Sequence, residues 1–257
     1  MSLGEITENE PIFDVVNPKG SAGIVLVCEH ASAFIPPRFD GLGLSQLARD
    51  SHAAWDPGAL AVATHLSQSL DAPLVAACTS RLVYDLNRAT TAPDAMPSKS
   101  EVFEIPGNAR LTDAERRARI TTYYTPFHAA VADVLASKEN VTLVTIHSFT
   151  RVYHGKERPV EIGILHDSDA RLGDAMLAAA AHHTHREVRR NEPYGPQDGV
   201  THMLQEHGVA HDRANVMIEI RNDLIETETA QRNIAAELAG WLDAAISSMK
   251  GAATCKG

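Results

Sequence analysis

Ile24-Val25-Leu26-Val27-Cys28-Glu29-His30 is the stretch that decides the fold. Five consecutive apolar residues are too short a run for an ordinary buried helix. They read as a strand buried on both faces, the pattern of a sheet covered by helices. A carboxylate and an imidazole follow at once. In open α/β sheets ligands bind beyond the carboxyl ends of the strands, so Glu29 and His30 fall where chemistry is expected.

Four further runs share this character: Leu74–Ala77, Val141–Ile146, Glu161–Leu165 and Val216–Ile220. Helical patterns lie between them. Asp56-Pro57 has the form of an N-cap and first helical residue, followed by Leu60, Ala61, Ala63, Leu66 and Leu70 near helical spacing. Thr112 and Glu115 make a capping box for a long helix to about Ser137, with Ile120, Tyr123, Tyr124, Phe127 and Val131 on its apolar side. Further helices are expected over Asp169–His182 and Glu226–Ser248. Strands alternating with helices predict an α/β layered fold. No repeat, low-complexity segment or linker divides the chain, which predicts one domain over residues 1–257. The stretch Ala89–Leu111 carries Pro93, Pro97, Pro106 and Gly107 with little periodicity and is expected to be a long functional loop.

Composition narrows the classes. The 257 residues are 44% hydrophobic and 22% charged, which supports a sizeable core and excludes disorder as the main state. Apolar runs fall well short of the roughly 20 residues of a membrane-spanning helix. With 33 acidic against 23 basic residues the formal net charge is −10, a field that disfavours nucleic acid as a partner. Cys28, Cys78 and Cys255 are odd in number and lack Cys-x-x-Cys spacing. They argue against a disulfide framework or zinc ribbon and fit a reducing compartment. The segment from Met1 to Phe13 is acidic and lacks the basic-then-apolar form of a signal peptide, so a cytoplasmic location is expected.

Other groups gather at strand ends. His147-Ser148-Phe149 follows Val141–Ile146, Glu219 lies within Val216–Ile220, and Ser80-Arg81 and Asp85-Leu86-Asn87-Arg88 follow Leu74–Ala77. Two imidazoles, the Asp56 carboxylate and a Glu among apolar neighbours suit a catalytic zinc ion with a general base beside it. Each residue alone also has a plainer reading. His30 and His147 fit hydrogen-bonded histidines near a core, and Glu219 fits an Arg-paired carboxylate, with Arg221 on its own strand face. Asp56 fits a helix N-cap, and Asn87-Arg88 an ordinary solvated turn. His182, His183 and His185 suit the negative end of a helix better than a metal site. His154, His166, His207 and His211 have no informative local context. Ser148 lacks a Gly-x-Ser-x-Gly elbow, and Gly155 and Gly195 belong to no phosphate-binding pattern.

Seven ordered segments together carry a resemblance: Cys28-Glu29-His30-Ala31-Ser32 with Ile35-Pro36, Ala54-Trp55-Asp56-Pro57-Gly58-Ala59, Ser80-Arg81-Leu82-Val83-Tyr84-Asp85-Leu86-Asn87-Arg88, Ile105-Pro106-Gly107-Asn108, Ile146-His147-Ser148-Phe149, Asn191-Glu192-Pro193-Tyr194 and Ile218-Glu219-Ile220-Arg221. From about Val27 to Trp241 the chain resembles the N-formylglutamate amidohydrolase family. The resemblance implies a three-layer αβα fold with a central mixed, twisted sheet, related to the zinc carboxypeptidases. It also implies zinc-dependent hydrolysis of the linear amide of N-formyl-L-glutamate or a related N-acyl amino acid, a small-molecule substrate. On that resemblance His30, Asp56 and His147 hold zinc, and Glu219 is the general base. Asn87 and Arg88 grip a substrate carboxylate, while Arg81 binds a second carboxylate or supports the oxyanion. One departure stands out. Carboxypeptidases carry His-x-x-Glu, whereas the third residue after His30 is Ala33. The resemblance places an acidic residue after the segment with Trp55, which makes Asp56 the expected third ligand, with Glu29 as runner-up or as a support behind a ligand histidine. That loss also leaves open a non-catalytic carboxylate-binding protein on the same fold, and other N-acyl amino acids or short peptides remain alternative substrates.

Overall fold

All five expected strand runs enter one sheet. In the computed structural model, which describes residues 11–254, that sheet has seven strands: β1 Phe13–Val16, β2 Ile24–Cys28, β3 Leu74–Ala77, β4 Thr142–Phe149, β5 Ile162–Leu165, β6 Val188–Arg190 and β7 Asn215–Arg221. Their spatial order is β1-β3-β2-β4-β7-β5-β6. The central four, β3, β2, β4 and β7, are parallel. β1 runs antiparallel to β3, and β5 antiparallel to β7, with β6 parallel to β5. β2 and β4 are buried along their whole length, as strands covered by helices on both faces are. The edge strands β1 (Phe-Asp-Val-Val) and β6 (Val-Arg-Arg) bury less and lack such runs, so the sequence pattern passes over them.

Period-two alternation sorts the sheet's side chains between two cores. Ile24, Leu26 and Cys28 join Ile218 and Ile220 against the helices Ala59–Leu70, Arg171–His183 and Glu228–Thr254. Val25, Val27, Leu143 and Met217 face the other way, onto Phe127, Val131 and Leu135 of the helix Thr125–Ala136. The result is the three-layer αβα arrangement with a mixed central sheet. The Thr112–Glu115 capping box forms and opens the helix Asp113–Arg119. A wide π turn over Ile120–Tyr124 then leads into Thr125–Ala136. The widening falls just before Pro126, which has no N–H to give to the ladder.

One expectation at a helix start is corrected. The N-cap of Ala59–Leu70 is Gly58, at φ 82°, rather than Asp56. A Cβ at Gly58 would collide with Ile225, so the left-handed turn needs glycine and releases the Asp56 side chain for other work. The stretch Ala89–Leu111 is not structureless: it contains a small hairpin, Lys99–Ser100 with Phe103–Glu104, whose turn brings Ser100 and Glu101 to the wall of the main cavity. Cys28 and Cys78 are free thiols, and Cys255 and residues 1–10 lie outside the described residues. Among the described residues no helix is long and apolar enough to cross a membrane.

Candidate metal centre

β2 ends directly before Glu29 and His30, β4 carries His147 near its end, and β7 places Glu219 in register beside His147. Partners in a parallel register share a face, so Glu219 and His147 stand side by side. Asp56 arrives from the loop before Ala59–Leu70, fixed by its own N–H donating to the His30 carbonyl at 2.9 Å. Three ligand atoms converge. His30 Nδ1 and His147 Nδ1 are 3.2 Å apart, and Asp56 Oδ2 is 3.3 Å from the first and 2.9 Å from the second. All three residues are buried.

The other imidazole edges are backed by carboxylates. His30 Nε2 lies 2.7 Å from Asp85 Oδ1, and His147 Nε2 lies 3.0 Å from Glu29 Oε2, the latter pair close but without hydrogen-bond alignment. A carboxylate at Nε2 keeps the proton on that nitrogen and turns the Nδ1 lone pair inward, the usual support for a metal-binding histidine. Glu29 thus lies behind His147 and is not among the three convergent atoms. Burial would raise the Asp56 carboxyl, yet the two imidazoles outweigh it and hold Asp56 well below the carboxylate range. Burial likewise opposes charge on His147, but Glu29 and Asp56 prevail and push that imidazole up.

These residues fit a divalent transition metal. Four-coordinate zinc with bonds of about 2.0–2.1 Å places neighbouring ligand atoms roughly 3.3 Å apart, close to the separations seen. Two inward lone pairs and a carboxylate oxygen at such distances repel one another unless a cation or shared protons lie between them. Glu29, Asp56 and Asp85 stand against the two imidazoles, and Arg81 is the guanidinium paired with two of these acids. Arg81 sits 2.6 Å from Asp85 Oδ2 and 3.5 Å from Asp56 Oδ1. Burial opposes its charge, but those two acids raise its pKa further above the usual range.

Glu219 is 5% exposed, and its Oε2 has no partner. Burial, tempered by His147, raises its pKa to about 7. The Arg221 pairing considered for it does not form: Arg221 turns to Asp223 at 2.8 Å and Glu161 at 3.3 Å. On the other side of Glu219 the register neighbour is Gly163, where a Cβ would strike the Glu192 carbonyl. That close crossing carries Pro193 and Tyr194 to the cavity.

His30, Asp56, Arg81, Asn87, Arg88, His147 and Glu219 all line one cavity of about 530 Å³, a size suited to a small molecule. Asn87 and Arg88 do not form a solvated turn. Asn87 is buried, its Nδ2 donating to the Val200 carbonyl and its Oδ1 accepting from Met203 N–H. Arg88 donates through Nε to Asp94 and through Nη1 to the carbonyls of Asn87 and Gly199. The sequence pattern did not single out Asp85 as the support of His30. Its position in the segment that also holds Arg81 and Asn87 was the available signal.

Sheet, strand-end histidines and cavity define an α/β protein with a buried His-Asp-His group fit for a metal ion. The model of the N-formylglutamate amidohydrolase family matches residues 22–226, and the chain belongs to that family. Membership indicates a hydrolase acting on amides. Among solved structures, a gene product from Agrobacterium tumefaciens is 53% identical, with a TM-score of 0.93 over 95% of this chain and 98% of that one. An N-formylglutamate amidohydrolase from Ralstonia eutropha JMP134 shares the fold at 20% identity, with a TM-score of 0.67 over 92% of this chain and 99% of that one. A metallo-carboxypeptidase from Burkholderia cenocepacia is a remoter match, 12% identical at a TM-score of 0.40 over 95% of this chain and 66% of that one. No curated protein sequence matches the chain.

Proposed function

We propose that this protein is a zinc-dependent amidohydrolase that cleaves N-formyl-L-glutamate, or a closely related N-acyl amino acid, to the free amino acid and the acyl acid. The observation that carries this reading is the convergence of His30 Nδ1, His147 Nδ1 and Asp56 Oδ2 beside an unpartnered, buried Glu219. A zinc ion held by those three atoms supplies Lewis acidity towards the acyl carbonyl and acidifies a water.

The chain's own groups do the rest. Glu219 takes a proton from the attacking water and returns it to the leaving nitrogen; a pKa of about 7 suits both tasks. Arg81, anchored by Asp85 and Asp56 at one edge of the cavity, puts positive charge near the developing oxyanion. Arg88 has Nε and Nη1 already engaged, which leaves Nη2 for a substrate carboxylate. Asn87 fixes the 200–203 segment and so shapes that subsite.

The test is a hydrolysis screen over N-formyl, N-acetyl and N-succinyl amino acids with added zinc, alongside metal analysis of the purified protein. Stoichiometric metal and formate release from N-formyl-L-glutamate are expected. No hydrolysis and no metal uptake would overturn this reading and favour a carboxylate-binding protein.

A further inference from the structure

Three arginines line the cavity, and two already have acids. Arg81 is paired with Asp56 and Asp85, and Arg88 with Asp94. Arg158 differs. Its guanidinium carbon lies 4.3 Å from the ring centroid of Tyr153, 4.8 Å from that of Tyr194 and 5.7 Å from that of Phe149. Its hydrogen bond to a main-chain acceptor is a long one, from Nη1 to the Thr150 carbonyl at 3.5 Å. Among the described residues no carboxylate pairs with it, in a chain with ten more acids than bases.

The fold holds this group in place. Arg158 follows a short hairpin, Val152–Tyr153 with Lys156–Glu157, turned through His154 and Gly155 at φ 47° and 74°. Its N–H donates to the Arg151 carbonyl at 2.8 Å, and its own carbonyl accepts from Arg221 Nη1 at 3.3 Å. Arg221 is itself anchored by Glu161 and Asp223. The rings of Tyr153, Tyr194 and Phe149 surround the guanidinium, and the Tyr194 side chain also hydrogen-bonds to it, which leaves the remaining N–H donors for a ligand. A half-buried cation with a fixed backbone and an aromatic surround is already organised to receive an anion.

We propose that Arg158 is a specificity-determining residue that receives a second, side-chain carboxylate of the substrate. Arg88 takes the α-carboxylate, and Arg158 favours acyl derivatives of acidic over neutral amino acids. This deepens the amidohydrolase reading and rests on it only for the acyl group.

The experiment measures binding and turnover separately in zinc-loaded protein. Calorimetry compares glutarate with its monoamide, glutaramate, and kinetics compare N-formyl-L-glutamate with N-formyl-L-glutamine. Wild type is expected to bind glutarate roughly 10- to 100-fold more tightly than the monoamide, the worth of a hydrogen bond to a charged group. Arg158→Gln should abolish that preference with metal content and thermal unfolding unchanged, which shows that the variant is folded. Arg158→Lys should restore part of the preference. Equal binding of the two probes by wild type would overturn the proposal, as would equal loss of both in Arg158→Gln. Wild type that cleaves both formyl substrates equally well would leave the amidohydrolase reading standing and remove this one. Arg158-dependent glutarate binding without any hydrolysis would do the reverse.

Discussion

Two groups of histidines lie buried in this molecule, and their surroundings make them different chemical objects. His30 and His147 stand at strand ends with carboxylates on both sides: Asp56 inward, Asp85 and Glu29 behind. His128, His202 and His207 are just as enclosed but have neutral partners. His128 Nε2 meets the Leu86 carbonyl at 2.9 Å and its Nδ1 meets His207 Nε2 at 2.9 Å, while His202 Nε2 meets the Tyr124 hydroxyl at 2.9 Å. Burial pulls His128 down to about 3 and His207 to about 4, whereas acids push His147 up. Burial alone does not distinguish the two groups. The acids beside His30 and His147 do.

The sharpest way to break this contrast is to remove one member of each group. His147→Ala should lose most bound metal and nearly all activity, because two convergent ligands no longer make a closed set. His128→Gln should keep its metal. Metal content of the two purified variants decides the matter, and full occupancy in His147→Ala would sink the ligand assignment. Next in size is Glu219→Gln, which keeps shape and hydrogen bonding but cannot carry the proton. Its kcat should fall about 10²–10⁴-fold with metal content unchanged. A metal-replete Glu219→Gln enzyme with near-normal kcat would end its role as base.

How far was this contrast legible in the chain? Three groups of the candidate site were readable because each sits beside a strand that announces itself: His30 after Ile24–Cys28, His147 within a fully buried run, Glu219 among Met217, Ile218 and Ile220. Asp56 was visible, but its local pattern argued equally for a helix cap, and only the glycine at 58 releases it. The placement of Asp85 and Arg158 was not legible. Their meaning comes from contacts across the fold, to His30 from Asp85 and to Tyr194 from Arg158. His128 and His207 are 79 positions apart, so no local spacing joins them. The central strands followed from apolar runs, whereas the edge strands did not, since half-exposed strands need no such run.

The acids behind His30 and His147 give a smaller and more selective effect. Asp85→Asn removes the charge that holds the His30 proton on Nε2, yet leaves every convergent atom in place. Metal affinity should drop about 10- to 100-fold, the usual worth of such an outer partner. Competition with a chelator measures it, and unchanged affinity would make Asp85 a partner of Arg81 alone.

The smallest effect on activity belongs to the other group, and it appears in stability against pH. A neutral His128 donates from Nε2 to the Leu86 carbonyl, so its Nδ1 accepts from His207 Nε2–H. An added proton on His128 would set two N–H groups face to face in a buried site. The folded state therefore resists protonation of both rings until about pH 3 and 4, while the unfolded chain takes protons near 6.5. Below about 6.5 the unfolded state binds more protons, so stability falls as the pH drops. Between pH 7 and 5 each ring should contribute a loss of about 2 kcal/mol. His128→Gln keeps an N–H for the Leu86 carbonyl but cannot titrate. Urea unfolding at pH 7 and 5, at one fixed zinc concentration, should show a weaker acid loss in this variant than in wild type. The other titratable groups are common to both proteins and cancel in the difference. Equal acid losses would mean that His128 is protonated in the folded protein, and the two groups of histidines would then be alike after all.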